Sequence, residues 1–193
     1  MTNPRRLTAG AASFTGVAAL ALAADHDWLA DADRRAFEAV RSRRGAAATR
    51  IAHGISELAE PAVVYPVLAL AGVIAARRGG WWCAGLPCLA VAGGAAARRR
   101  LSRVIARQRP PADAWLTEPE GFSLPSKHTT LAVLAVGATA RAFGVRGAPG
   151  HAATLLAATA IGASRVYLGV HWPTDVVAGW LFAEGWLHVT HPG

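Results

Sequence analysis

Four short polar sets lie between or at the ends of apolar blocks, and each is built from residue types that handle phosphate. Arg109-Pro110 closes the basic run RRRLSRVIARQRP, Pro125 to His128 reads PSKH, Ser164-Arg165 ends a long apolar stretch, and His171 to Asp175 reads HWPTD. In PSKH, Pro125 suits the first position of a helix, which puts Ser126, Lys127 and His128 in its first turn. The free backbone N–H groups and the positive end of such a turn favour an anion. Pro173 marks a second helix start. His171 stands four residues before Asp175, so the carboxylate reaches one imidazole nitrogen, fixes the tautomer and leaves the other nitrogen free to attack. Two histidines, two arginines and a hydroxyl around a dry anion pocket meet the needs of phosphoryl transfer: a nucleophile, a proton donor for the leaving oxygen, and cations for the equatorial oxygens.

Taken alone, each set has an ordinary explanation. His128 can cap a helix, the arginines at 98–100 can anchor a helix at lipid headgroups, and His171 with Asp175 can be a local structural pair. Their joint occurrence on one side of the apolar blocks argues for a site. His26, His53, His151, His188 and His191 lack such company and read as surface or interfacial residues. No cluster has metal-ligand spacing, so neither a metal nor another cofactor is expected. Cys83 and Cys88, five apart in an apolar stretch, read as packing residues.

The elements that hold these sets are apolar blocks. The chain has 193 residues, 53% of them hydrophobic, with a formal charge of +8. Its arginines cluster between the blocks without interleaved aromatics, which argues against a nucleic-acid partner and for contact with lipid phosphates. Six blocks, at residues 7–24, 55–76, 80–97, 128–144, 151–170 and 172–189, each run for about 17 to 22 residues, close to what a bilayer crossing needs. Small residues fill them, as close helix packing in lipid requires. The first is read as a retained helix rather than a signal peptide. Residues 25–50 are charged, with Trp28, Leu29, Ala32, Ala36, Phe37 and Val40 at helical spacing, and read as an amphipathic helix on the membrane surface. Six crossings put both termini on the cytoplasmic side with the short basic gaps, Arg77-Arg78 and Arg141 to Arg146, and place the long irregular gap at 98–127, the segment at 25–50 and the turn at 164–175 opposite.

At this point the residues resemble the type 2 phosphatidic acid phosphatases, the PAP2 family, which shares a site with the vanadium haloperoxidases. The family pattern is K-x6-RP, PSGH and SR-x5-H-x3-D. The third is complete here as Ser164-Arg165-VYLGV-His171-WPT-Asp175; the second has Lys127 in place of glycine; the first keeps Arg109-Pro110 but has Ser102 at the lysine position. The resemblance implies an all-α, six-helix transmembrane bundle, a single membrane-embedded phosphatase domain over residues 1–193 with its motifs at 102–175. It implies His171 as nucleophile, Asp175 as its partner, His128 as general acid, and Arg109, Arg165, Ser126 and the Lys127 amide as the phosphate cradle. Arg103 is the candidate replacement for the missing lysine. The expected activity is metal-independent hydrolysis of a lipid phosphate monoester or diphosphate through a phosphohistidine, at the plasma membrane, with the site facing away from the cytoplasm. Membrane lipids and the lipid-phosphate substrate are the expected partners. A catalytically silent lipid-binding or lipid-moving protein that keeps the pocket is the main rival, and vanadate-dependent oxidation a lesser one.

Overall fold

The computed structural model describes residues 4–24, 26–145 and 147–190. Asp25, Arg146 and His191, together with the side chains of Arg5 and Arg6, lie outside the described residues. Among those described there are eight α-helices and no strand: α1 (Pro4–Ala23), α2 (Asp27–Arg41), α3 (Ala46–Glu57), α4 (Pro61–Gly79), α5 (Leu86–Ile105), α6 (Lys127–Ala142), α7 (Ala148–Tyr167) and α8 (Pro173–Thr190).

Helix α6 forms the centre, packed against α4, α5, α7 and α8. Its residues from His128 to Ala135 are all buried; from Leu131 to Ala135 the helix is apolar on every side, as burial requires. Val64 and Leu68 of α4, Val91 of α5, Ala158 of α7 and Leu187 of α8 complete the core around it. On the outside, α1 packs along α8, with Phe14 set edge-on against Phe182 at 5.8 Å between ring centroids. Gly162 allows α7 and α8 to approach, since a Cβ there would meet Val176 at 2.1 Å.

Three expectations are corrected. The segment at 25–50 is two helices, separated at Gly45, which has extended φ and ψ. The buried stripe of α2 is Leu29, Asp33 and Phe37, whereas Trp28 is 67% exposed, so the inner face of α2 is turned to α7 and α8. The apolar block at 55–76 breaks at Pro61, which begins α4 because its missing N–H costs nothing in a first turn. Third, the basic run after residue 97 is not irregular: α5 continues through it to Ile105 and stops only at Ala106, whose φ of 52° is left-handed.

Among the described residues, Pro61–Gly79 alone is long and apolar enough to cross a bilayer as one straight helix; α1 and α2 qualify together as a pair bent by 91°. Helix α4 leaves Val63, Val67, Leu70 and Val73 exposed.

Candidate active site

The C-terminal end of α5, the start of α6, the end of α7 and the start of α8 meet at one end of the bundle. The irregular segment at 106–126 closes over them, tied down by Ser123 N–H to the Arg107 carbonyl (2.9 Å) and Leu116 N–H to the Leu168 carbonyl (2.9 Å). The turn before His171 needs glycine. Gly169 has φ +85°, and a Cβ there would lie 2.1 Å from the Ala114 carbonyl oxygen.

Helix α8 starts at Pro173, so Asp175 is its third residue and reaches back to cap the start, accepting from the Trp172 N–H at 2.8 Å. The same carboxylate accepts from His171 Nδ1 at 3.3 Å, from Arg107 Nη1 at 2.7 Å and from the Ser123 hydroxyl. Asp175 is fully buried and fully partnered. Arg109 is held by four backbone carbonyls, those of Val170 (2.6 Å), Glu120 (2.8 Å), Gly121 (2.9 Å) and Phe122 (3.1 Å). Its Nη1 lies 3.3 Å from His171 Nε2. A guanidinium has only hydrogens to give, so Nε2 is the acceptor and Nδ1 carries the proton toward Asp175. Burial pushes the His171 pKa down to about 4, with Arg109 and Arg165 acting in the same direction and Asp175 against it. At neutral pH the imidazole is therefore uncharged, with its Nε2 lone pair facing a cation.

Serine 126 is the residue before α6, not inside it. Its hydroxyl accepts from the Thr129 hydroxyl at 3.1 Å and, more weakly, from the Thr129 N–H at 3.5 Å. Pro125 thus precedes the cap rather than opening the helix, which corrects the sequence reading; the serine hydroxyl does the capping. Lys127 points to the rim, 3.1 Å from Glu120, so it does not crowd the histidines. Arg165 is buried and donates to Ser56 at 2.7 Å, and its Nε finds no acceptor among the described residues. Both His128 and His171 lie within electrostatic reach of Arg165.

Arg103, the expected substitute for the missing lysine, is exposed, and Ser102 is buried with no partner for its hydroxyl among the described residues. Arg98, one turn before Ser102 on the same face of α5, is the buried cation instead. It grips the Pro125 carbonyl through Nε at 2.6 Å and also through Nη2, and it sits within electrostatic reach of Arg109 and Asp175. Arg98, Arg99, Arg103 and Lys127 line a cleft of about 480 Å³, together with Tyr65 and Leu131.

Besides Arg98, Ser56 and Ser123, sequence reasoning missed three charged residues, Arg107, Asp33 and Glu60. Arg107 bridges Asp175 to Asp33 of α2, with Nη2 at 2.7 Å from the Asp33 carboxylate. Glu60, just before α4, lies 2.7 Å from His128 Nε2. The signal for Asp33 was available: a carboxylate midway between Leu29 and Phe37 on an apolar stripe is out of place unless it is paired. Glu60 carried only the weak mark of an acid immediately before a helix-opening proline.

Among the described residues the fold is an all-helical bundle with a buried histidine–aspartate pair faced by arginines at one end, an arrangement suited to phosphoryl transfer. The chain belongs to the PAP2 superfamily, whose pattern matches residues 84–192. It is similar to the decaprenylphosphoryl-5-phosphoribose phosphatase of Mycobacterium tuberculosis, at 36% identity over 146 residues (73% of this chain and 76% of that protein). Its counterpart in Mycolicibacterium smegmatis is 34% identical over 137 residues (66% and 69%). An undecaprenyl-diphosphatase of Sulfolobus acidocaldarius matches at 53% over 30 residues (16% and 15%). Among solved structures, the transmembrane PAP2-type phosphatidylglycerolphosphate phosphatase of Bacillus subtilis superposes with a TM-score of 0.82 at 25% identity, covering 94% of this chain and 93% of that one. The protein is thus a PAP2-type membrane lipid phosphatase.

Proposed function

We propose that the protein hydrolyses a phosphate monoester or diphosphate carried on a polyprenyl chain, through a phosphohistidine on His171. The arrangement that carries this reading is the His171 imidazole held between Asp175 at Nδ1 (3.3 Å) and Arg109 at Nε2 (3.3 Å). In the first step Nε2 attacks phosphorus, the bond from phosphorus to the leaving oxygen breaks, and His128 gives that oxygen a proton. In the second, water attacks the phosphohistidine, His128 takes the water's proton, and phosphate leaves. Arg109, Arg165, Ser126 and the Lys127 amide cradle the equatorial oxygens, and Arg98 adds the cation that Ser102 cannot supply. Arg103, on the cleft rim, meets the headgroup beyond the transferred group.

The polyprenyl preference rests on the named substrates of the mycobacterial and archaeal relatives; phosphatidate and phosphatidylglycerophosphate are the competing lipids. Phosphate release by the purified protein across a panel of these lipids tests it, and fastest turnover of a diacylglycerol phosphate would reject the polyprenyl assignment. No metal takes part in these steps. Activity is therefore expected to survive EDTA and to fall to micromolar vanadate, which copies five-coordinate phosphorus. A requirement for added magnesium would contradict this.

In the membrane, α1, α4, α5, α6, α7 and α8 serve as six crossings, while α2 and α3 lie over the site at the outer face of the plasma membrane. A cysteine at Ala112, in a background lacking Cys83 and Cys88, is expected to react with an impermeant thiol reagent on intact cells, and one at Gly79 only after the membrane is opened. The reverse pattern would invert the orientation.

A further inference from the structure

The N-terminal third of the chain, outside the residues that match the family pattern, sends three side chains into the site: Asp33 to Arg107, Ser56 to Arg165 and Glu60 to His128. The last of these bears directly on the proton. His128 Nε2 is 2.7 Å from the Glu60 carboxylate, while His128 Nδ1 is buried with no partner among the described residues. A carboxylate accepts only, so Nε2 carries a hydrogen toward Glu60 and Nδ1 is the nitrogen left to exchange a proton.

We propose that Glu60 is the positioning residue of the general acid: it fixes the His128 ring, pins one proton on Nε2 and leaves Nδ1 to protonate the leaving oxygen. The inference rests on the histidine mechanism proposed above. Three charged groups besides Glu60 act on His128: Arg165 of α7, neighbouring Lys127, and Glu120 of the loop at 106–126. The two cations oppose an imidazolium, and Glu60 is the anion in direct contact with it. Proton balance is kept throughout. The Nδ1 proton goes to the lipid oxygen as its bond to phosphorus breaks, and the attacking water returns one to Nδ1, while Glu60 stays ionised and only holds Nε2–H. The Glu60 side chain caps no helix N–H, so its removal spares the start of α4.

The test compares Glu60→Gln with wild type on two substrates, a long-chain alkyl phosphate, whose alcohol leaves poorly without a proton, and p-nitrophenyl phosphate, whose leaving group needs none. The variant is expected to lose about tenfold in kcat on the alkyl phosphate at pH 7.5 and less than about twofold on the aryl one. The alkaline limb of its kcat/KM profile should move to lower pH. Equal losses on both substrates, no loss on either, or an unmoved alkaline limb would overturn the proposal. Glu60→Asp, which keeps the charge at shorter reach, should show a smaller loss confined to the alkyl substrate; if Glu60→Gln does not fold, a loss in Glu60→Asp shared by both substrates overturns it instead. Failure of the underlying mechanism has a separate signature: wild-type protein that yields no acid-labile phosphoenzyme on rapid quench lacks the histidine intermediate, and the role of Glu60 falls with it.

Discussion

Replacing His171 by alanine is expected to lower turnover by at least about a thousandfold, since removal of a covalent nucleophile leaves only binding and electrostatic stabilisation. The same variant should give no acid-labile phosphoenzyme. The surroundings make this test clean. Arg109 is held by four backbone carbonyls independent of the imidazole, so the cation stays in place. Asp175 keeps its bonds from Arg107, Ser123 and the Trp172 N–H. Asp175→Asn should cost less than the loss of the nucleophile. It retains an oxygen or an N–H toward Nδ1 but lets the wrong tautomer compete, leaving Nε2 protonated in part of the population. Turnover by His171→Ala above about a tenth of wild type would exclude the covalent route. A deeper loss in Asp175→Asn than in His171→Ala would mean that the aspartate acts on more than the ring.

The parts of this site that were legible in the sequence are those where a local rule binds neighbours in the chain. His171 and Asp175 read as a pair because four residues and a helix-starting proline bring them together whatever the rest of the chain does. Arg109, His128 and Arg165 read as partners only through the family spacing; nothing local links them. Boundaries failed where composition changed slowly. The arginines after residue 97 looked like a loop because they are charged, yet α5 runs through them, and its helical period is what turns Arg98 inward and Arg103 outward. Their spacing of five residues suffices to set them on different sides of the helix. Similarly, residues 25–50 showed helical spacing without revealing a break at Gly45, since one glycine in a polar helix is compatible with either outcome.

What the sequence could not show is the contact between halves of the chain. Asp33 and Arg107 are 74 residues apart, and Glu60 and His128 are 68 apart. Asp33 stands out on the apolar stripe of α2 as a carboxylate that needs a partner, but only the packing of α2 against α7 and α8 supplies one. The family motifs therefore hold the residues proposed to handle phosphate, and the N-terminal part of the chain supplies partners for three of them or their neighbours, through Asp33, Ser56 and Glu60. The two sets are joined most tightly at Arg107.

Arg107→Met is accordingly expected to destabilise the protein by about 3 to 5 kcal/mol, the usual cost of removing one member of a buried charge pair. Arg107, Asp33 and Asp175 have side-chain exposures of 7%, 2% and 0%, so water cannot take over from the guanidinium. Two carboxylates would be left buried without their shared cation. The fork geometry matters as well. Nη2 serves Asp33 (2.7 Å), while Nη1 serves both Asp175 (2.7 Å) and the Thr174 hydroxyl (2.6 Å). A single ammonium cannot reproduce that spread, so Arg107→Lys should recover only part of the loss. Asp33→Asn should be milder than Arg107→Met, because the amide oxygen can still accept from the Thr174 N–H and Asp175 keeps its cation. Unfolding free energies from titration with SDS in mixed micelles would rank the variants. Activity should follow the same order, since Asp175 without Arg107 no longer holds a fixed position behind His171. A change in Arg107→Met below about 1 kcal/mol would place it in the range of an exposed ion pair, and the bridge between α2 and Asp175 would then contribute nothing measurable to holding the site together.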